Sequence, residues 1–291
     1  MVPDSETREQ QLRHALRTFG DALDMPAWTH RDPDYVSALE LTDDDVPTLL
    51  AVIREDAHAA QAGQAVEQSD SDDTAGYADF ASVHAWRALA QMGATRAIHD
   101  LIAVSDIMEE IHDDWFLDEF EDVAGLMGPA TLPSLQSALA DPEHYQSSRI
   151  AFAHAVKRVG EWHADARNQA VSVLYGQMGR YAENPRGLNA FLFSCLMALR
   201  ANEAFEIVEN AFAEDHIDLS VCGNWNAVKH RHGIEERGLV PPPLADYRWN
   251  LWTEGKRQPG SWKPAKPPID RKRRHRAARK RERKNRRQRR R

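Results

Sequence analysis

Apolar residues in this chain recur at helical spacing, and the helices they define come in pairs, which leaves few folds open. Stretches over 79–92, 115–127, 146–159 and 186–199 carry Val83, Trp86 and Leu89; Phe116, Phe120, Val123 and Leu126; Ile150, Ala153 and Val156; and Leu188, Phe191, Leu192, Cys195 and Leu199. These are the i, i+3, i+4 positions of amphipathic helices. A second apolar stretch follows each one: Ile98, Leu101 and Ile102; Leu132, Leu135 and Leu139; Ala166, Ala170, Val173 and Leu174; Ala204, Ile207, Val208 and Phe212. Turn glycines at 93, 128 and 160, with a last turn near 201, give intervals of 35, 32 and about 41 residues, the period of two-helix repeats. One helical hairpin cannot cover its own apolar stripe, whereas stacked hairpins share a continuous core. Segments alternating with period two, which would signal strands, are few.

The predicted fold is therefore all-α: a two-helix-repeat solenoid over 79–235, preceded by N-terminal helices (1–61) that cap it and an acidic, polar loop (62–78). Ser5 is placed to cap a first helix through Leu12, Leu16 and Phe19, ending near Gly20. Thr42, followed by three aspartates, is placed to start a second, its acids suiting the positive end of the helix dipole. Leu49, Leu50, Val52 and Ile53 form the apolar face of that helix. Gly223-Asn224-Trp225-Asn226 reads as the cap of a terminal helix, with Trp225 filling the end of the core.

Beyond 235 the pattern changes. Seven prolines between 238 and 270 rule out a long helix and favour extended chain. Three of the eight tryptophans, Trp249, Trp252 and Trp262, fall in this Pro/Trp-rich linker (236–270), so part of it is expected to pack on the last repeat. The final stretch, 271–291, is almost free of apolar side chains, and like-charge repulsion predicts a disordered tail.

Two segments, ALAQMGATRAIHDLI (88–102) and VAGLMGPATLPSLQSALAD (123–141), resemble HEAT-like repeats of the short bacterial kind found in phycobilisome lyases. The run from Asp113-Asp114-Trp115-Phe116 to Asp218-Leu219-Ser220 and Trp225 is similar to an uncharacterised group of bacterial HEAT-like proteins. The resemblance covers 79–235 and implies a helical scaffold rather than a particular activity. Some relatives end in a cysteine-rich zinc module. With only Cys195 and Cys222 and no CxxC pair, this chain does not share it.

Charge is divided sharply. Residues 271–291 hold fifteen basic side chains (Arg271, Lys272, Arg273, Arg274, Arg276, Arg279, Lys280, Arg281, Arg283, Lys284, Arg286, Arg287, Arg289, Arg290 and Arg291) against Glu282, a formal +14. The remaining 22 basic and 44 acidic residues give the rest of the chain −22. Such a tail can neutralise many phosphates and release their counterions, and its twelve arginines favour forked phosphate contacts and stacking on bases. Nucleic acid, RNA or the ribosome above all, is the expected partner of the tail, with a latch onto its own acidic body as the alternative.

Asp114, Asp118 and Asp122, at four-residue spacing, are candidates for a partner-binding acidic face, and otherwise form a solvated helix surface. Thirteen histidines form no HExxH and no His-Glu pair, which argues against di-iron chemistry on a HEAT scaffold. Neither GxGxxG, GxxxxGK[ST] nor GxSxG occurs. No catalytic, metal or cofactor residue is assigned. The expectation is a cytoplasmic, non-enzymatic interaction scaffold with an unidentified protein partner and no membrane span. The alternatives are a HEAT-like enzyme of lyase or glycosylase type, the glycosylase being disfavoured by the −22 body, and an acidic-groove protein neutralising a basic partner.

Overall fold

The computed structural model describes residues 7–62, 80–111 and 113–232. Among them there is no β-strand, only one isolated bridge between Ala27 and Asp32. The linker and the basic tail lie outside the described residues, as does Ser5. The first helix, α1 (Arg8–Thr18), is capped instead by Thr7, whose hydroxyl accepts from the Gln10 amide while the Gln10 side chain returns to the Thr7 N–H. That capping box satisfies two amides that would otherwise lack partners.

A short helix, α2 (Tyr35–Ala38), leads to α3 (Val46–Gln61), whose entry is fixed by Thr42 and Asp45 in a second capping box. There follow α4 (Ala81–Gln91), α5 (Ile98–Glu110), α6 (Asp114–Met127), α7 (Leu132–Ala140), α8 (Gln146–Trp162), α9 (Arg167–Met178), α10 (Arg186–Ala198) and α11 (Phe205–Ala213). Two short helices, α12 (Leu219–Cys222) and α13 (Trp225–His232), end the described chain. The helices form two rows. In one, α4 packs on α6, α6 on α8 and α8 on α10; in the other, α3 packs on α5, α5 on α7 and α7 on α9. The rows meet through α3 with α4, α5 with α6, α7 with α8, and α9 with both α8 and α10. α4 and α5, joined by the tight turn at Gly93, make at most slight contact, and so do α6 and α7. The principal pairing runs across the connections between α3 and α4, α5 and α6, and α7 and α8.

One apolar cluster runs from Leu12 to Val228. Its spine is aromatic: Trp86 meets Phe116 at 5.2 Å, Phe116 meets Phe120 at 5.6 Å, and Phe120 meets Phe152 at 5.6 Å between ring centroids. Each such pair contributes about 0.5–1.5 kcal/mol beyond its burial, tying α4, α6 and α8 together. Trp225 closes the far end, its ring 5.0 Å from Phe212 and its indole N–H donating to Glu209 at 2.9 Å.

Gly93 and Gly128 turn the chain at φ +64° and +85°. Arg200 takes the same left-handed role in the last turn, at φ 55°, which is why no glycine marks it. Gly160 is not a turn. It lies within α8, buried, where a Cβ would stand 2.8 Å from Ala170 Cβ and 3.1 Å from Leu199 Cδ2. The glycine there admits close packing of neighbouring elements rather than a reversal, and α8 runs on to Trp162.

Candidate interaction face on α6, α8 and α10

The residues between Phe19 and Tyr35 lie over α4. His84, Arg87 and Gln91, at i, i+3 and i+7, form a buried polar stripe that satisfies this irregular backbone. His84 Nε2 pairs with the Gly20 carbonyl at 3.0 Å and its Nδ1 with the Tyr35 hydroxyl at 2.8 Å. Arg87 donates to the Ala22 carbonyl, and the Gln91 amide donates to the carbonyls of Trp28 and Pro33 while accepting from the Tyr35 N–H. Arg87 also makes a two-pronged pair with Glu119 of α6, at 2.7 and 2.9 Å, and the indoles of Trp86 and Trp115 donate to the same carboxylate. Burial pushes the Glu119 carboxyl up, but Arg87 and the two indoles outweigh it and hold it below the usual range. Burial, with the Arg87 charge adding to it and the Gly20 carbonyl opposing, pushes His84 down to about 4, keeping it neutral.

The next three helices of the row carry stripes that stay partly open. On α6 the stripe is Asp118, Glu121 and Asp122; on α8 it is Ile150, His154, Lys157, Arg158 and Glu161; on α10 it is Phe191, Ser194 and Ala198. Spacings of three and four residues put each set on one side of its helix. Across the α6–α8 seam, Lys157 Nζ lies 2.8 Å from Glu121 and Arg158 Nε 3.0 Å from Asp122. Arg158 reaches Glu121 as well and sits 5.2 Å over the ring of Trp162. Glu121 Oε2 and Arg158 Nε nonetheless lack any aligned hydrogen bond, so the contacts of these two atoms are held by charge.

Across the α8–α10 seam the surface turns apolar: His154 meets Phe191 edge to face at 5.5 Å, with Cys195 buried beneath. Burial, aided by the charges of Lys157 and Arg158 and opposed by Glu121, pushes His154 down to about 4. The Cys195 thiol is pushed up to about 12 by the same burial, so it is no thiolate near neutral pH. Burial lowers Lys157, yet Glu121 outweighs it and keeps the ammonium charged. Asp122 ends above the usual carboxylate range because burial outweighs Arg158.

Of the three sequence-predicted aspartates, Asp114 opens α6, Asp118 is exposed, and Asp122 is engaged by Arg158. The fifteen tail residues lie outside the described region. Sequence reading put Phe191 on an apolar helix face and made no site of Glu121, Lys157 and Arg158, although a Lys-Arg pair within an otherwise apolar α8 stretch, opposite an acidic helix, was a usable signal. Among the described residues no group of three or more His, Cys, Asp or Glu could hold a metal, and no helix is long and apolar enough to cross a membrane. No protein-family model, curated protein or solved structure matches the chain.

Proposed function

We propose that the chain is a HEAT-like α-solenoid adaptor, without enzymatic activity, that holds a protein partner on the α6–α8–α10 face and tethers it to RNA or the ribosome through Arg271–Arg291. The two helix rows sharing one core support the solenoid reading. The observation that carries the adaptor reading is the face itself: opposite charges and an apolar edge, pre-positioned on three helices packed in series, α6 on α8 and α8 on α10. Residence in the reducing cytoplasm fits the two free, buried cysteines. The preponderance of acids on the face, four against Lys157 and Arg158, favours a basic partner.

Affinity capture with and without nuclease, comparing the full chain with one ending at Asp270, tests this reading. Loss of the tail should abolish nucleic-acid retention at low salt and leave helical content unchanged. Direct partners should survive both truncation and nuclease, and charge reversal at Lys157 and Glu121 should release them. Equal nucleic-acid retention by both chains refutes the tether.

A further inference from the structure

We infer that in the free protein the α6–α8–α10 face is covered by the chain's own segment 247–268, which docks there as an internal latch. The inference goes beyond the adaptor reading and rests on it in one respect, that the face is a binding surface.

Three observations converge. The first is a precedent within the same helix row. The stripe of α4 is already covered by an irregular segment of this chain, anchored by Trp28 and passing through Pro26 and Pro33. Arg87 of α4 sits 5.3 Å over that Trp28 ring. Segment 247–268 has the same chemistry, with three tryptophans, one tyrosine and four prolines. Arg158, already over Trp162, and the Phe191–His154 edge offer equivalent seats on α8 and α10.

The second is charge. Arg248, Lys256, Arg257, Lys263 and Lys266 against Glu254 give the segment +4, while Asp118, Glu121, Asp122 and Glu161 against Lys157 and Arg158 give the face −2. Asp118 and Glu161, exposed on α6 and α8, are the acids of the face that such donors can reach. The third is reach. α12 packs on α10, and α13 follows it directly, ending at His232. Fourteen residues lie between His232 and Tyr247, and the fifteen steps can span about 50 Å, against roughly 8–10 Å per packed helix, so the whole face lies within range.

Docking there would make the latch and an external partner compete for one surface. It would also seat Asp270 close to the body while leaving Arg271–Arg291 outside the contact.

The test uses the full-length chain carrying Ser194→Cys, a half-buried position on the α10 stripe, reacted with a small maleimide. Cys195 and Cys222 are buried, and the unsubstituted chain gives their background. Combining Ser194→Cys with Trp249→Ala, Trp252→Ala and Trp262→Ala should speed labelling at least tenfold, the change expected when a latch closed about 90% of the time is lost. Lys256→Glu with Arg257→Glu provides a second release that leaves the aromatics in place and should also accelerate labelling. The slow rate must be independent of protein concentration. Unchanged labelling in both variants overturns the latch, and protection that grows with concentration overturns it in favour of a second copy of the chain. No partner or nucleic acid enters the assay, so its failure is distinct from failure of the adaptor reading.

Discussion

Arg87 and Glu119 are 3% and 5% exposed at their side chains, and neither could be buried alone. Every oxygen of the carboxylate is occupied, by the guanidinium and by the indoles of Trp86 and Trp115. Removing one partner strands a buried charge, which costs about 3–5 kcal/mol, whereas replacing both with apolar groups of similar volume often costs little. Glu119→Ala should therefore lower the unfolding free energy by that amount in urea titration, and Arg87→Met with Glu119→Leu should lose markedly less. A double variant as unstable as the single one would mean that the pair itself stabilises the fold. His84 sits beside this pair and carries its own pH dependence. Its folded pKa, about 4, lies below its ordinary 6.5, so the unfolded chain binds the proton more readily. Stability from this residue is fully present above pH 6.5 and drains away between pH 6.5 and 4, by about 3 kcal/mol in all. His84→Phe should flatten that part of the stability curve, and an unaltered slope would assign it to other groups.

Helix scale decides what two glycines do. A Cβ on Gly160 in α8 would stand closer to Ala170 than Cβ contacts allow and tight against Leu199, so Gly160→Ala should push the helices apart and cost about 1–3 kcal/mol despite alanine's better helix propensity. Gly176 in α9 is exposed with nothing within 4 Å of a Cβ, so Gly176→Ala should stabilise by about 0.5–1 kcal/mol. Thermal melts of the two variants should shift in opposite directions. The same pair shows how much of the fold was legible in the sequence. Apolar periodicity located α4, α6, α8 and α10 to within a few residues because a buried stripe leaves a regular mark. It misread Gly160 because a glycine required for close packing looks, in one dimension, like a glycine required for a turn. It placed the last turn near 201 with no glycine to mark it, and there Arg200 takes the left-handed conformation. The candidate face was less legible still, since Glu121 meets Lys157, and His154 meets Phe191, across helix seams between residues dozens of positions apart. The cover over α4 was hidden altogether, since nothing in the sequence marks His84, Arg87 and Gln91 as the residues that satisfy its backbone.

At the scale of the whole molecule, charge is the property that no local element explains. A body at −22 repels itself, which destabilises the compact state, and salt relieves that repulsion by screening it over about 10 Å at 0.1 M. The tail's +14 offsets the repulsion only if it stays near the body, since charges held well beyond the screening length do not act on one another. A latch over 247–268 ends three residues before Arg271 and would keep the tail's first residues within that distance. The chain ending at Asp270 should then melt lower than the full chain at low ionic strength, by a few degrees for each kcal/mol of lost attraction. The two melting temperatures should converge as salt rises toward 0.5 M, where screening removes the repulsion and the attraction together. A constant difference at all salt concentrations would show that the tail acts by contact rather than by field. Coincident curves would show that its charge lies out of the body's reach, free for a polyanion but detached from the surface that the latch is proposed to cover.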